Sequence, residues 1–147
     1  MPPAARYSEV FAPDLLAGHV AIVTGGGTNL GRAAAAELIA CGADVVIAGR
    51  RSDVLERTGA ELGPHCTWVG GDIRVAADCE RIVDVALERH GRVDTLLNNA
   101  GGQYFAAAEA ITEKGWAAVM RLNVDGTLQM TRACVERALR PGVAGRS

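Results

Sequence analysis

The chain alternates short unbroken apolar runs with longer stretches in which apolar residues recur every three or four positions. The runs are HVAIVTG, ADVVIAG, HCTWVGGD and VDTLLNNAG, each closing on glycine or polar residues. The continuous apolarity of HVAIVTG predicts a strand buried on both faces, as in a parallel sheet, and the other three runs read as further strands. Between the runs, a helix is predicted from about Leu30 to Cys41, stopped by Gly42. SDVLERTGAEL reads as a second helix, capped by Ser52, with Glu56 and Arg57 on its polar side. VAADCERIVDVALERHG reads as a third, with Ile82, Val83, Ala86 and Leu87 as its apolar face. After the fourth run, a loop leads to a helical stretch from about Thr112 to Leu139, interrupted near NVDG. Strands alternating with helices predict an α/β fold with a doubly wound parallel sheet. The reading ends after the fourth strand and its following helices. Residues 1–18, with two early prolines, Glu9 and Asp14, read as an irregular N-terminal arm.

Composition narrows the class without changing this picture. A chain of 147 residues, 49% hydrophobic and 22% charged, is expected to fold as one globular domain. A formal net charge of −2 argues against nucleic acid or an anionic membrane as partner. No apolar run approaches the roughly 18–20 residues of a membrane span, and the N-terminus lacks the layout of a signal peptide. Cys41, Cys66, Cys79 and Cys134 are scattered with no C-x-x-C pair, so they are expected to be small buried hydrophobes in a reducing compartment. His19, His65 and His90 stand at unrelated positions, and no metal site is expected. The default location is the cytoplasm.

Candidate chemistry gathers on TGGGTNLG, Thr24 to Gly31, between the first strand and its helix. A helix start offers unpaired N–H groups and the positive end of the dipole, which together favour a pyrophosphate. Gly25 is expected to make the tight turn, and Gly31 to let the helix pack close to the sheet. Asn29 fills a slot where glycine is usual. If that slot needs positive φ, asparagine is among the residues that tolerate it best.

With Asn29 in its middle slot, TGGGTNLG resembles the T-G-x-x-x-G-x-G pattern of the short-chain dehydrogenase/reductase family. GGDIR, NNAG and LNVDGT, in that order, resemble three further motifs of the family, so the likeness spans Val20 to Thr127. It implies a Rossmann-type dinucleotide-binding domain over residues 19–147, incomplete at its C-terminal end. Gly25, Thr28, Asn29, Leu30 and Gly31 are then expected to bind cofactor. Asp72 is expected to meet the adenine amino group, and Ile73 to pack on the ring. Asn99, Ala100 and Gly101 are expected to line the cofactor. Asn123 takes the family's catalytic position, holding a water in the proton relay. NNAGGQY, EKGWAAV and the N-terminal arm look most like the 2,4-dienoyl-CoA and trans-2-enoyl-CoA reductases, with a general alcohol or ketone oxidoreductase as rival. A small-molecule substrate, an acyl-CoA in that branch, and a homo-oligomeric full-length form are implied.

The second strand ends AGRRS, with Gly49 at the position where the family's NAD enzymes carry an acidic residue. Arg50 and Arg51 follow, and guanidinium groups suit a 2′-phosphate. NADP(H) is therefore favoured over NAD(H).

The family's chemistry also requires a serine and a Tyr-x-x-x-Lys. Phe11 stands four residues after Tyr7, Ala108 four after Tyr104, and Lys114 is the one lysine. RPGVAGRS, ending at Ser147, falls where the family's fifth strand is expected to begin. Two readings remain open at this point. One is the cofactor-binding half of a longer oxidoreductase, inactive alone; the other is a non-catalytic nucleotide-binding module complete as written. A nucleotide-sugar epimerase or methyltransferase fits the glycine spacing less well.

Overall fold

In the computed structural model, residues 8–139 are described. Tyr7, Ser147 and the RPGVAGRS segment from Arg140 onward lie outside them. The elements are β1 (Val20–Thr24), α1 (Asn29–Ala40), β2 (Asp44–Gly49), α2 (Ser52–Leu62), β3 (Cys66–Gly70), α3 (Ala76–His90) and β4 (Thr95–Leu97). A long helical arm follows: α4 (Glu113–Met120), a wider π-type stretch over Arg121–Gly126, α5 (Thr127–Cys134) and a second π-type stretch over Val135–Leu139. The π-type stretch at 121–126 coincides with the interruption expected at NVDG.

The strands form one parallel sheet in the order β3-β2-β1-β4. Alternation along β1 and β2 divides the core in two, because successive strand residues point to opposite faces. Ala21, Val23, Val45 and Ile47 pack on one side with Ala35 of α1 and Leu55 of α2. Ile22, Val46 and Ala48 pack on the other with Cys79, Ile82 and Val83 of α3 and Met130 and Cys134 of α5. Helices thus cover both faces of a Rossmann-type doubly wound sheet. Every residue of β1 is buried, as its unbroken apolar run predicted. β4 is shorter than VDTLLNNAG suggested and forms one edge of the described sheet, with Thr95 and Leu97 exposed.

Two local expectations change. Ser52 does not cap α2. The backbone of Arg51 is extended, the helix begins at Ser52 itself, and no side-chain cap bond forms. Ser52 thus sits one position too far in to reach an unpaired N–H. Leu87 packs half-buried against the core beside Ile82, Val83 and Ala86, as its place on the apolar face predicted, and Cys79 completes the buried stripe of α3. The histidines are less scattered in space than in sequence: His65 Nδ1 lies 2.9 Å from Asp44 Oδ1 and His90 Nδ1 3.9 Å from Asp44 Oδ2. Among the described residues no cluster of His, Cys, Asp and Glu could hold a metal ion, and no helix is long and apolar enough to cross a membrane. All four cysteines are free thiols. Burial pushes Cys66, Cys79 and Cys134 up to about 11, so they stay protonated at neutral pH.

Residues 8–18 form turns without helix or strand. They rest on the C-terminal end of α1, where Leu16 N–H donates to the Cys41 carbonyl at 2.8 Å.

Candidate functional site

The C-terminal ends of all four strands open on one cavity of about 510 Å³. In open α/β sheets this is the edge at which ligands sit, where strand order reverses. Here the reversal falls between β1, which runs on to β2, and β4 on its other side.

The glycine loop forms one wall. Gly25 has φ +65° and Asn29 φ +48°, so the slot where glycine is usual does require the left-handed region. Asparagine occupies it at small cost. A Cβ on Gly31 would collide with the Gly25 carbonyl and the Asn99 side-chain nitrogen. Gly31 therefore lets the helix start close on the loop and on the end of β4. α1 begins at Asn29 after an extended Thr28 that makes no side-chain cap bond. The N–H groups of the first turn are left facing the cavity mouth.

Asn99 and Thr24 staple the loop to the end of β4. The Asn99 side-chain amide donates to the Thr24 carbonyl at 3.0 Å and the Gly25 carbonyl at 3.3 Å. Thr24 Oγ1 accepts from the backbone N–H of Asn99 at 3.1 Å and of Ala100 at 3.0 Å. Thr58 of α2 adds a tie from the other side, its Oγ1 donating to the Gly27 carbonyl at 2.8 Å. The loop is fixed at both flanks before any ligand arrives.

Opposite stand the ends of β2 and β3. Arg50 and Arg51 are exposed and line the cavity. Neither side chain makes a hydrogen bond or ion pair among the described residues. A smaller recess of about 90 Å³ adjoins them, lined also by Thr28, Gly49 and Val54. Asp72 and Ile73 follow β3. Ile73 is buried, and Arg74 beside Asp72 holds the Asp72 carboxyl down at about 2, so it stays ionised.

Asn123 sits in the π-type stretch, back from the cavity lining. Its carboxamide makes a reciprocal pair with the Gly102 backbone, accepting from the N–H at 3.0 Å and donating to the carbonyl at 2.8 Å. That pair ties the long helix to the loop after β4. The cavity wall thus holds Gly25, Thr28, Asn29, Leu30, Gly31, Arg50, Arg51, Asp72, Ile73, Asn99, Ala100 and Gly101 together, leaving Asn123 behind it. Ala48, Gly49, Gly71, Gln103 and Leu122 line it as well. Gly49 and Gly71 were open to inference as strand-end residues. Gln103 and Leu122 carry no local signal, because only the fold of the 101–122 segment brings them there.

Residues 19–146 match the short chain dehydrogenase family. The chain is 34% identical over 139 residues to the peroxisomal 2,4-dienoyl-CoA reductase [(3E)-enoyl-CoA-producing] of Arabidopsis thaliana, covering 92% of this chain and 46% of that protein. Among solved structures, it is similar to a citronellol catabolism dehydrogenase of Pseudomonas aeruginosa PAO1. The TM-score is 0.84 and the identity 35%, over 90% of this chain and 56% of the other. It also resembles the 3-ketoacyl-(acyl-carrier-protein) reductase of Brucella melitensis complexed with NADH. There the TM-score is 0.78 and the identity 34%, over 82% and 50% of the two chains. The chain spans about half the length of the curated relatives it matches. The glycine loop on its parallel sheet, the NNAG staple and these matches agree: the chain belongs to the short-chain dehydrogenase/reductase family of oxidoreductases, near the 2,4-dienoyl-CoA reductases.

Proposed function

We propose that these residues form the cofactor-binding half of an NADP(H)-dependent oxidoreductase acting on an enoyl-CoA, dienoyl-CoA or carbonyl substrate. The observation that supports this most is one cavity lined by both the fixed glycine loop and two unpaired arginines. The donor set fits a phosphorylated dinucleotide. The first turn of α1 offers N–H groups to a pyrophosphate. Arg50 and Arg51 offer forked donors to a 2′-phosphate beside the small recess. The ionised Asp72 offers an acceptor to the adenine amino group, and Ile73 an apolar face to the ring. Gly101 and the loop that Asn123 holds border the nicotinamide end. When bound, the nicotinamide supplies or accepts a hydride. The residues described here bind and orient it, and Asn123 holds the loop after Gly101 in place.

The substrate class is supported by the relatives, of which one is named for dienoyl-CoA reduction and another for ketoacyl reduction on an acyl-carrier protein. Trp116, Met120, Val124 and Leu128 lie exposed along the long helix at four-residue spacing, which supports a homo-oligomeric full-length protein. Three buried free thiols suit a cytoplasmic setting. With no Tyr-x-x-x-Lys in its 147 residues, this chain on its own is expected to bind cofactor without turning substrate over.

Calorimetric titration with NADPH tests the reading. Saturable binding is expected in the unmutated chain and none in Gly25→Val, where a β-branched side chain at positive φ would break the turn. A folded Gly25→Val protein with undiminished affinity would overturn it.

A further inference from the structure

Asp72 is held more firmly than a cavity-lining carboxylate requires. Arg74 surrounds it: its backbone N–H donates to Oδ1 at 3.0 Å, its Nε to Oδ1 at 2.9 Å and Oδ2 at 3.0 Å, and its Nη2 to Oδ2 at 2.5 Å. The backbone of Asp72 is fixed separately, its N–H donating to Asp78 Oδ2 at 2.8 Å. Arg81 in turn donates to Asp78 Oδ1 at 2.6 Å and to the Gly70 carbonyl at 2.7 Å. Asp72 lines the cavity, whereas Arg74 is absent from its wall. The guanidinium therefore grips the carboxylate from behind. Asp78 and Arg81 likewise stand outside the cavity wall.

We infer that Arg74, backed by Asp78 and Arg81, is a positioning residue that makes the cavity select purines with a 6-amino group over purines with a 6-oxo group. The inference rests on the proposed placement of the adenine ring against Asp72 and Ile73. An ionised carboxylate only accepts hydrogen bonds. A 6-amino group brings N–H donors to it, while a 6-oxo group brings lone pairs against lone pairs. Rejection of the second requires a carboxylate that can neither turn away nor take up a proton and become a donor. The fork of Arg74 fixes both oxygens in one plane, and the anchored N–H of Asp72 removes the remaining backbone freedom. The same contacts hold the carboxyl ionised, with a pKa near 2. Sites built around a polar partner reject analogues that leave it unpaired far more strongly than sites that sense size alone.

The test compares NADPH with reduced nicotinamide hypoxanthine dinucleotide phosphate, which differ at the purine 6-position, by titration of the unmutated chain and of Arg74→Ala, Arg74→Lys and Asp78→Asn. The unmutated chain is expected to prefer the adenine dinucleotide by about tenfold or more, the scale of one charge-assisted hydrogen bond. Arg74→Ala should cut that preference by at least about fivefold. Loss of a cation alone would weaken both ligands equally, so the ratio isolates positioning from general electrostatics. Arg74→Lys, a point charge without the fork, should restore part of the ratio, and Asp78→Asn should lower it. If Arg74→Ala does not fold, the last two variants decide. An unchanged ratio in folded Arg74→Ala, an equal loss for both ligands, or no adenine preference in the unmutated chain overturns the inference. Binding of neither dinucleotide by the unmutated chain overturns the reading of the site itself, and this inference with it.

Discussion

At the scale of single residues, the proposed cofactor choice rests on Arg50. It is exposed at the end of β2, unpaired among the described residues, and beside the recess next to Thr28. Arg50→Ala is therefore expected to bring the affinities for NADPH and NADH close together. Its NADPH affinity should also depend less steeply on salt, because one exposed charge contact has gone. Titrations at two ionic strengths check this; a variant that keeps the full preference would point to Arg51 alone. Asp72 supports a second prediction. Its folded pKa lies at about 2, below the ordinary 3.8, because Arg74 bonds the ionised form. The sign follows from linkage: the stabilisation is complete above pH 4 and is lost as pH falls through 2. Acid unfolding followed between pH 5 and pH 2 should show a shallower loss in Arg74→Ala than in the unmutated chain. Equal slopes would mean that the pair contributes nothing. Asn29 was legible from sequence as a tolerated left-handed residue, and its φ of +48° agrees. The grip of Arg74 on Asp72 was not, since an Asp and an Arg two residues apart in a turn carry no geometric signal until the backbone is known.

At the scale of elements, the apolar pattern located each strand and helix to within a few residues, most clearly β1 and β2, where burial on both sheet faces leaves an unbroken run. It failed where tertiary context decides. β4 is reduced to three residues, since pairing with β1 covers only Ala21 to Val23. The Ser52 cap failed because α2 starts at Ser52 itself, one residue earlier than the cap requires. α3 offers the cleanest stability test. Ile82 is fully buried among Ile22, Val46 and Met130 in one core cluster. Ile82→Ala should cost about 2–5 kcal/mol of unfolding free energy by denaturant titration. A cost under about 1 kcal/mol would show that α3 packs loosely on the sheet. The staple at Asn99 should behave differently. Asn99→Ala removes two loop contacts from a half-exposed side chain and is expected to weaken NADPH binding more than it lowers stability.

For the whole molecule, the family and most of the cavity lining were readable from the motifs, since three of the four sit at strand ends that the sheet then brings together. What stayed dark was the reacting end. Gln103 and Leu122 reach the cavity only through the fold of the segment after β4, and the chain contains no Tyr-x-x-x-Lys. Positioned acid–base groups contribute about 10²–10⁴-fold. Purified chain assayed with NADPH against enoyl-CoA, dienoyl-CoA, aldehyde and ketone panels should accordingly show turnover at least about 10²-fold below the same chain extended with a family C-terminal half. Robust NADPH oxidation by the 147 residues, removed by Asn123→Ala, would contradict this. The proposal's centre is that one cavity holds a 2′-phosphorylated nicotinamide dinucleotide. Its most direct test is the pair of dissociation constants of the unmutated chain for NADPH and NADH at low salt. A charge-assisted contact worth roughly 1.5–3 kcal/mol predicts NADPH binding about 10- to 150-fold tighter; equal constants, or a preference for NADH, would contradict the account.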